Sequence, residues 1–211
     1  MIDDSGVLFR GAKLGADGPA EDLLVQNGRF TSVGPPLEPP PAARIVDLAG
    51  RIVLPGLVES HIHLDKAFLD ERRPNLSGKL EDAIAITQEL KRSITKEDIL
   101  ARSERALRLA IRHGTTWFRV HVEVDPIVGL KGMEATLEIR ENFKDLANLQ
   151  IVVFPQEGIE RQPGTLALMR EALRMGGDLV GGVPYNDADA ESHLDTVFGL
   201  AEEYGCGVDM H

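Results

Sequence analysis

From residue 56 onward the chain alternates short apolar runs with longer amphipathic stretches, and no other feature restricts its fold as much. GLVESHIH (56–63), TTWFRVHVEV (115–124), LQIVVFPQEG (149–158), DLVGGVPYN (178–186) and CGVDMH (206–211) have the length and content of strands. Between them, LEDAIAITQELKRS (80–93) carries Leu80, Ala83, Ile84 and Leu90 near helical spacing. TKEDILARSERALRLAIRHG (95–114) opens on Thr95 with Asp98 three residues on, a capping pattern, and closes on Gly114. GMEATLEIRENFKDLA (132–147), TLALMREALRMGG (165–177) and ESHLDTVFGLAEEYG (191–205) repeat the design. Parallel strands need a crossover between them, so this order predicts βαβ units and a parallel sheet. Five strands fall short of the eight in a (β/α)₈ barrel of about 250 residues. A half-barrel, another open α/β sheet, or the N-terminal part of a longer polypeptide all fit.

The first 55 residues read differently. Residues 7–34 form short strands with turns, and Asn27-Gly28 inside LLVQNGRFTSVG (23–34) is a strong hairpin signal. GPPLEPPPAAR (34–44) excludes helix and central strand, because each proline fixes φ and lacks an N–H, so it is expected to be a linker or loop. RIVDLAGRIVLPGLVE (44–59) then resumes in extended style, with Gly50 and Pro55-Gly56 as punctuation.

Composition narrows the partners. A formal net charge of −11 and a pI near 5.0 disfavour nucleic acid, whose affinity rests on Lys and Arg, and point to a small-molecule partner. No stretch approaches the roughly 20 apolar residues of a membrane helix. The single cysteine, Cys206, and an N-terminus without a basic segment leading into an apolar run are what a cytoplasmic protein is expected to show.

The chemistry concentrates where GLVESHIH ends. In a strand, residues two apart share a face, so His61 and His63 project together while Ile62 points away. Two imidazoles so placed can share a cation such as Zn²⁺ or Fe²⁺, which takes nitrogen ligands at about 2.0–2.1 Å. Such a pair can equally be two ordinary polar residues at a strand end. The position of His211, at the end of the fifth apolar run, favours the metal reading.

LPGLVESHIHLDKAF (54–68) resembles the first-strand signature of the amidohydrolase superfamily. FRVHVEVD, LQIVVFPQEGI, DLVGGVPYN and GVDMH resemble, in order and spacing, successive barrel strands of the cytosine deaminase group, while HLDK and DLVGGV also resemble N-isopropylammelide amidohydrolases. The similarity runs from about residue 45 onward and, more loosely, through the N-terminal β segment. It implies a (β/α)₈ barrel of the TIM type, with its first five strands in residues 56–211, and part of a small β-sandwich domain in residues 1–55. It also implies one divalent metal ion, zinc or iron, held by His61, His63 and His211, with a fourth aspartate ligand on an eighth strand lying past residue 211. The fourth strand, DLVGGVPYN, has no lysine to bridge two metals, so a mononuclear site is expected. By the same resemblance Gln156 and Leu80 contact the substrate. The general acid glutamate, three residues past the strand-five histidine, a strand-six histidine and a strand-eight aspartate have no counterpart within residues 1–211, so no catalytic acid or base is assigned there.

The implied reaction is hydrolytic deamination of a cytosine-like heterocycle, with metal-activated water attacking the ring carbon that bears the amine. An s-triazine N-alkylamide hydrolase is the alternative, and a catalytically incomplete fragment that keeps the metal pair is a third. The paired H-x-E and P-C-x-x-C motif of nucleoside-type zinc deaminases needs two cysteines, and this chain has one. Relatives of this kind commonly self-associate, so a homo-oligomer is one expected state.

The remaining polar residues have roles to be read one by one. His121, on the same strand face as Glu123, either supports a metal ligand by hydrogen bond or is a bonded core histidine. His113 fits a helix C-terminus and His193 a solvated helix surface. Asp65 and Lys66 are expected to form a loop-orienting ion pair or to touch substrate, Glu157 to orient Gln156 or face water, and Cys206 to be an inert small hydrophobe.

Overall fold

Positive φ at both Asn27 (50°) and Gly28 (71°) turns the chain back on itself in two residues, the backbone a type I′ hairpin requires. In the computed structural model, which describes residues 6–211 and, at Leu80, the backbone alone, this turn joins two strands of the N-terminal unit. That unit contains β1 (Val7–Lys13), β2 (Ala20–Gln26), β3 (Arg29–Gly34) and β4 (Arg44–Asp47) in one sheet of order β3-β2-β1-β4. β1 pairs antiparallel with β2 and parallel with β4. The proline-rich stretch is the irregular connection from β3 to β4. The Asp22 carboxylate ties it down, accepting from the Leu37 and Gly11 N–H groups at 3.0 Å each. These bonds hold its pKa below the usual carboxylate value.

The chain divides after Pro55, and the second unit, Gly56–His211, alternates strands with helices. Its order is β5 (Leu57–Ile62), α1 (Leu80–Leu90), α2 (Lys96–Arg112), β6 (Thr115–Glu123), α3 (Lys131–Asn142), β7 (Asn148–Phe154), α4 (Thr165–Met175), β8 (Leu179–Gly182), α5 (Ala190–Tyr204) and β9 (Gly207–Met210). The five strands pair in sequence order, all parallel. Thr95 caps α2 by accepting from the Asp98 N–H at 3.2 Å, as its position predicts. Among the described residues no helix is long and apolar enough to cross a membrane.

Period-two alternation sorts the strands into faces. Phe118, Val120 and Val122 of β6, with Ile151 and Val153 of β7, pack in one core with Leu107, Met133, Ile139, Met169 and Leu200 of the helices. The intervening residues, among them Arg119, His121, Glu123 and Gln150, occupy the other face. That face is concave. Four strand spacings of about 4.8 Å would hold β5 and β9 about 19 Å apart in a flat sheet. Yet His61 Nε2 at the end of β5 lies 3.1 Å from Nε2 of His211, which follows β9. Arg119 of β6 likewise reaches Asp209 of β9 at 2.7 Å. The sheet curls as a half-barrel.

Curling crowds β8. A Cβ on Gly181 would meet the Val152 Cγ1 and Val153 carbonyl oxygen at 2.9 Å and Phe154 Cδ2 at 3.0 Å. Gly181→Ala is therefore expected to destabilise by about 1–3 kcal/mol, the usual cost of overpacking. Urea midpoints measure it, and an unchanged midpoint would show that β8 has room to spare.

Candidate active site

β5 carries His61 near its end and leads directly into His63, with ring centroids 5.2 Å apart. β9 delivers His211, whose ring lies 4.5 Å from that of His61 and 5.7 Å from that of His63. One nitrogen of each lies within 4.8 Å of the others. Burial first, then the nearby Lys66 charge, drives the His63 pKa down to about 2. Burial and neighbouring His121 lower His211 to about 4. Both rings are thus neutral at physiological pH. His63 Nδ1 and His121 Nδ1 are buried without a hydrogen-bond partner among the described residues. Two nitrogens bound at about 2.05 Å to a tetrahedral ion stand about 3.3 Å apart. The 3.1 Å between His61 and His211 Nε2 matches that spacing, so the donor set fits a divalent cation.

Two other ligand clusters compete for a metal, and both are already engaged. Asp209, grouped with His121 and His211, gives one oxygen to Arg119 at 2.7 Å and the other to His121 Nε2 at 3.1 Å. His121 is fully buried, its ring 4.1 Å from that of His61. Glu123, Asp125 and Glu157 form the third cluster. Lys91 fills it, its ammonium 2.9 Å from Glu123, 2.5 Å from Asp125 and 2.9 Å from Glu157. Burial alone would depress the Lys91 pKa, yet these carboxylates carry it above the usual lysine range.

The same cluster reaches Gln156. Lys66 Nζ lies 3.0 Å from Glu123 Oε2 and donates to Gln156 Oε1 at 3.1 Å. Gln88 donates to Glu157 at 2.7 Å. Lys66, Ala83, Ile84, Thr87, Gln156 and Glu157 enclose a cavity of about 170 Å³. The Phe154 ring, 4.2 Å from that of His211 and 5.9 Å from Lys66 Nζ, links this cavity to the imidazoles.

Three expectations change. No Asp65–Lys66 ion pair forms. Asp65 turns inward, where Oδ2 accepts from the Glu123 N–H at 3.0 Å and burial raises its pKa, while Lys66 takes Glu123. Glu157 is buried against Lys91 rather than solvated. His193 is not on the surface but fully buried, because His193, Val197, Leu200 and Ala201 form the inward stripe of α5. Its Nε2 accepts from the Val183 N–H at 2.9 Å and its Nδ1 meets Asp187 at 2.7 Å. His113 is exposed just past α2, and Cys206 is half-buried. The Leu80 side chain lies outside the described residues; its backbone begins α1.

A model of the amidohydrolase family matches residues 44–131. N-isopropylammelide isopropyl amidohydrolase of Pseudomonas sp. (strain ADP) is 34% identical over 100% of this chain and 54% of its own length. The crystal structure of N-isopropylammelide isopropylaminohydrolase from Burkholderia multivorans superposes with a TM-score of 0.87 at 39% identity, over 98% of this chain and 53% of that one. The match is to the amidohydrolase family. Klebsiella pneumoniae 5-methylcytosine deaminase, solved with 5-fluorocytosine, also superposes at a TM-score of 0.87 and 33% identity, over 97% of this chain and 51% of that one. The chain spans about half the length of these relatives.

Proposed function

We propose that the protein is a metal-dependent hydrolase that replaces the exocyclic amine of a cytosine-like ring with oxygen, releasing ammonia. The convergence of His61, His63 and His211, joined through Phe154 and Lys66 to Gln156, carries this reading. The three imidazoles would hold one divalent cation. When bound there, the cation supplies a water nucleophile at neutral pH by lowering the water's pKa from 15.7 towards about 7. The chain's own groups do the rest. Gln156 hydrogen-bonds the ring edge and sets its orientation, Phe154 covers one side, and His121, fixed by Asp209, holds the polar floor beside His61.

A second reading, hydrolysis of an N-alkylamine from an s-triazine, is favoured by the 34% and 39% identity to the two N-isopropylammelide enzymes. Incubating the zinc- or iron-loaded protein with cytosine, 5-methylcytosine and N-isopropylammelide separates the two. Ammonia from the pyrimidines supports the first, isopropylamine from the triazine the second, and neither product from any of them contradicts both. Gln156→Ala is expected to lower kcat/KM on the accepted substrate by about tenfold to a hundredfold, the worth of one or two hydrogen bonds. An unchanged kcat/KM would remove Gln156 from the substrate site.

A further inference from the structure

Lys91 stands in the turn after α1, 1% exposed, with no opening for a substrate to touch it. An ammonium has three donors, and all three are taken, by Glu123, Asp125 and Glu157. Its hold extends beyond these carboxylates. The remaining oxygen of Glu123 fixes Lys66, and Lys66 fixes Gln156. Because an ammonium can only donate, the Gln156 atom 3.1 Å from Lys66 is the carbonyl oxygen, so the carboxamide has one orientation out of two. Among the described residues no hydrogen bond engages the Gln156 NH₂ group. What Gln156 has left for a ligand is therefore chiefly a donor.

We propose that Lys91 is a positioning residue: through Glu123 and Lys66 it fixes the Gln156 carboxamide so that the NH₂ group meets the substrate. The site then selects rings with a hydrogen-bond acceptor, a carbonyl oxygen or an unprotonated ring nitrogen, at that edge. This rests on reading Gln156 as a substrate contact. In a Lys91→Met variant the three carboxylates lose the ammonium they share, and Lys66, paired with Glu123, is the cation left beside them. Like charges so close do not all stay ionised. Glu123 then has a new proton or a new partner, and Lys66 loses its seat.

The test has a ligand-free arm and a binding arm, both on the full-length zinc-loaded protein. In ¹⁵N-glutamine-labelled protein, the side-chain amide signals of Gln156 are assigned by their loss in Gln156→Glu. They are expected to move or split in Lys91→Met and in Lys66→Met, with zinc content unchanged. Lys91→Arg, which keeps the charge but not the three-point geometry, carries this arm if Lys91→Met does not fold. In the binding arm, Lys91→Met is expected to weaken cytosine about tenfold, roughly one lost hydrogen bond, in the wild-type background and not in Gln156→Ala. Amide signals that stay in place when Lys91 is replaced, or an equal loss of cytosine affinity in both backgrounds, would overturn the proposal. Wild-type protein that neither binds nor turns over cytosine would count against the proposed substrate, while the amide signals still decide the role of Lys91.

Discussion

Asp187→Ala is expected to destabilise the protein by about 3–5 kcal/mol, because it leaves several buried or half-buried N–H donors without their acceptor. The carboxylate accepts from the N–H groups of Ile159 at 2.6 Å, Glu160 at 3.1 Å, Arg161 at 2.9 Å and Ala188 at 2.8 Å. His193 Nδ1 adds a fifth contact at 2.7 Å. Together they lash the loop after β7, which carries Gln156, to the loop after β8. Nearby Asn186 reinforces this by donating from its side chain to the Gln156 backbone carbonyl at 2.8 Å. The space is tight: a Cβ on Gly158, whose φ is +88°, would meet Asp187 Oδ1 at 2.8 Å. Alanine leaves these donors without their acceptor, whereas Asp187→Asn keeps one acceptor oxygen and should cost less.

The pH dependence has a definite sign. Burial would raise the Asp187 pKa, but the bonds from His193 and the backbone outweigh it and leave the group well below its ordinary 3.8. A depressed folded-state pKa adds stability that is complete above the unfolded value of about 3.9 and declines as pH falls from there towards the folded value. Urea unfolding between pH 7 and pH 3 should therefore show a steeper acid loss for the wild type than for Asp187→Asn. Equal slopes, or an alanine cost below about 1 kcal/mol, would mean that the lashing is dispensable.

The largest functional effect is expected at His63. Histidine ligands offer a cation neutral imidazole, and His63, with its pKa near 2, is unprotonated through the whole neutral range. His63→Ala removes one of three converging donors. It should lower metal content well below one ion per chain and reduce turnover by about a thousandfold or more, the several kcal/mol that a metal contributes. His121→Ala provides the contrast. Its imidazole hydrogen-bonds Asp209 beside the trio, so a loss of about tenfold to a hundredfold is expected, the range for groups that support a ligand. Full metal content and near-normal turnover in His63→Ala would contradict its place in the trio.

How much of this was legible in the sequence varies residue by residue. Period-two runs gave the strands, and Asn27-Gly28 gave the hairpin, because both are local and chemically specific. PQEG (155–158) and VPYN (183–186) read as strand but lie beyond β7 and β8, in the loops at the sheet's edge. The side-by-side placement of His61 and His63 follows from strand geometry. Their meeting with His211 depends on sheet curl, which only the resemblance implied. Lys91 was missed altogether: at the end of α1, beside Arg92, it looks like any solvated cation near a helix C-terminus. The usable signal lay elsewhere, in Glu123, Asp125 and Glu157 at neighbouring strand ends, which together demand a positive charge. His193 was misread for a simpler reason. Its polar neighbours hid a spacing that puts it in line with Val197, Leu200 and Ala201.

Metal analysis combined with anomalous diffraction at the zinc or iron edge addresses most directly the claim that three imidazoles share one cation. One ion per chain is expected, within bonding distance of His61, His63 and His211. Protein that takes up no zinc or iron after dialysis against either metal, or an ion seated instead on Glu123, Asp125 and Glu157, would contradict it.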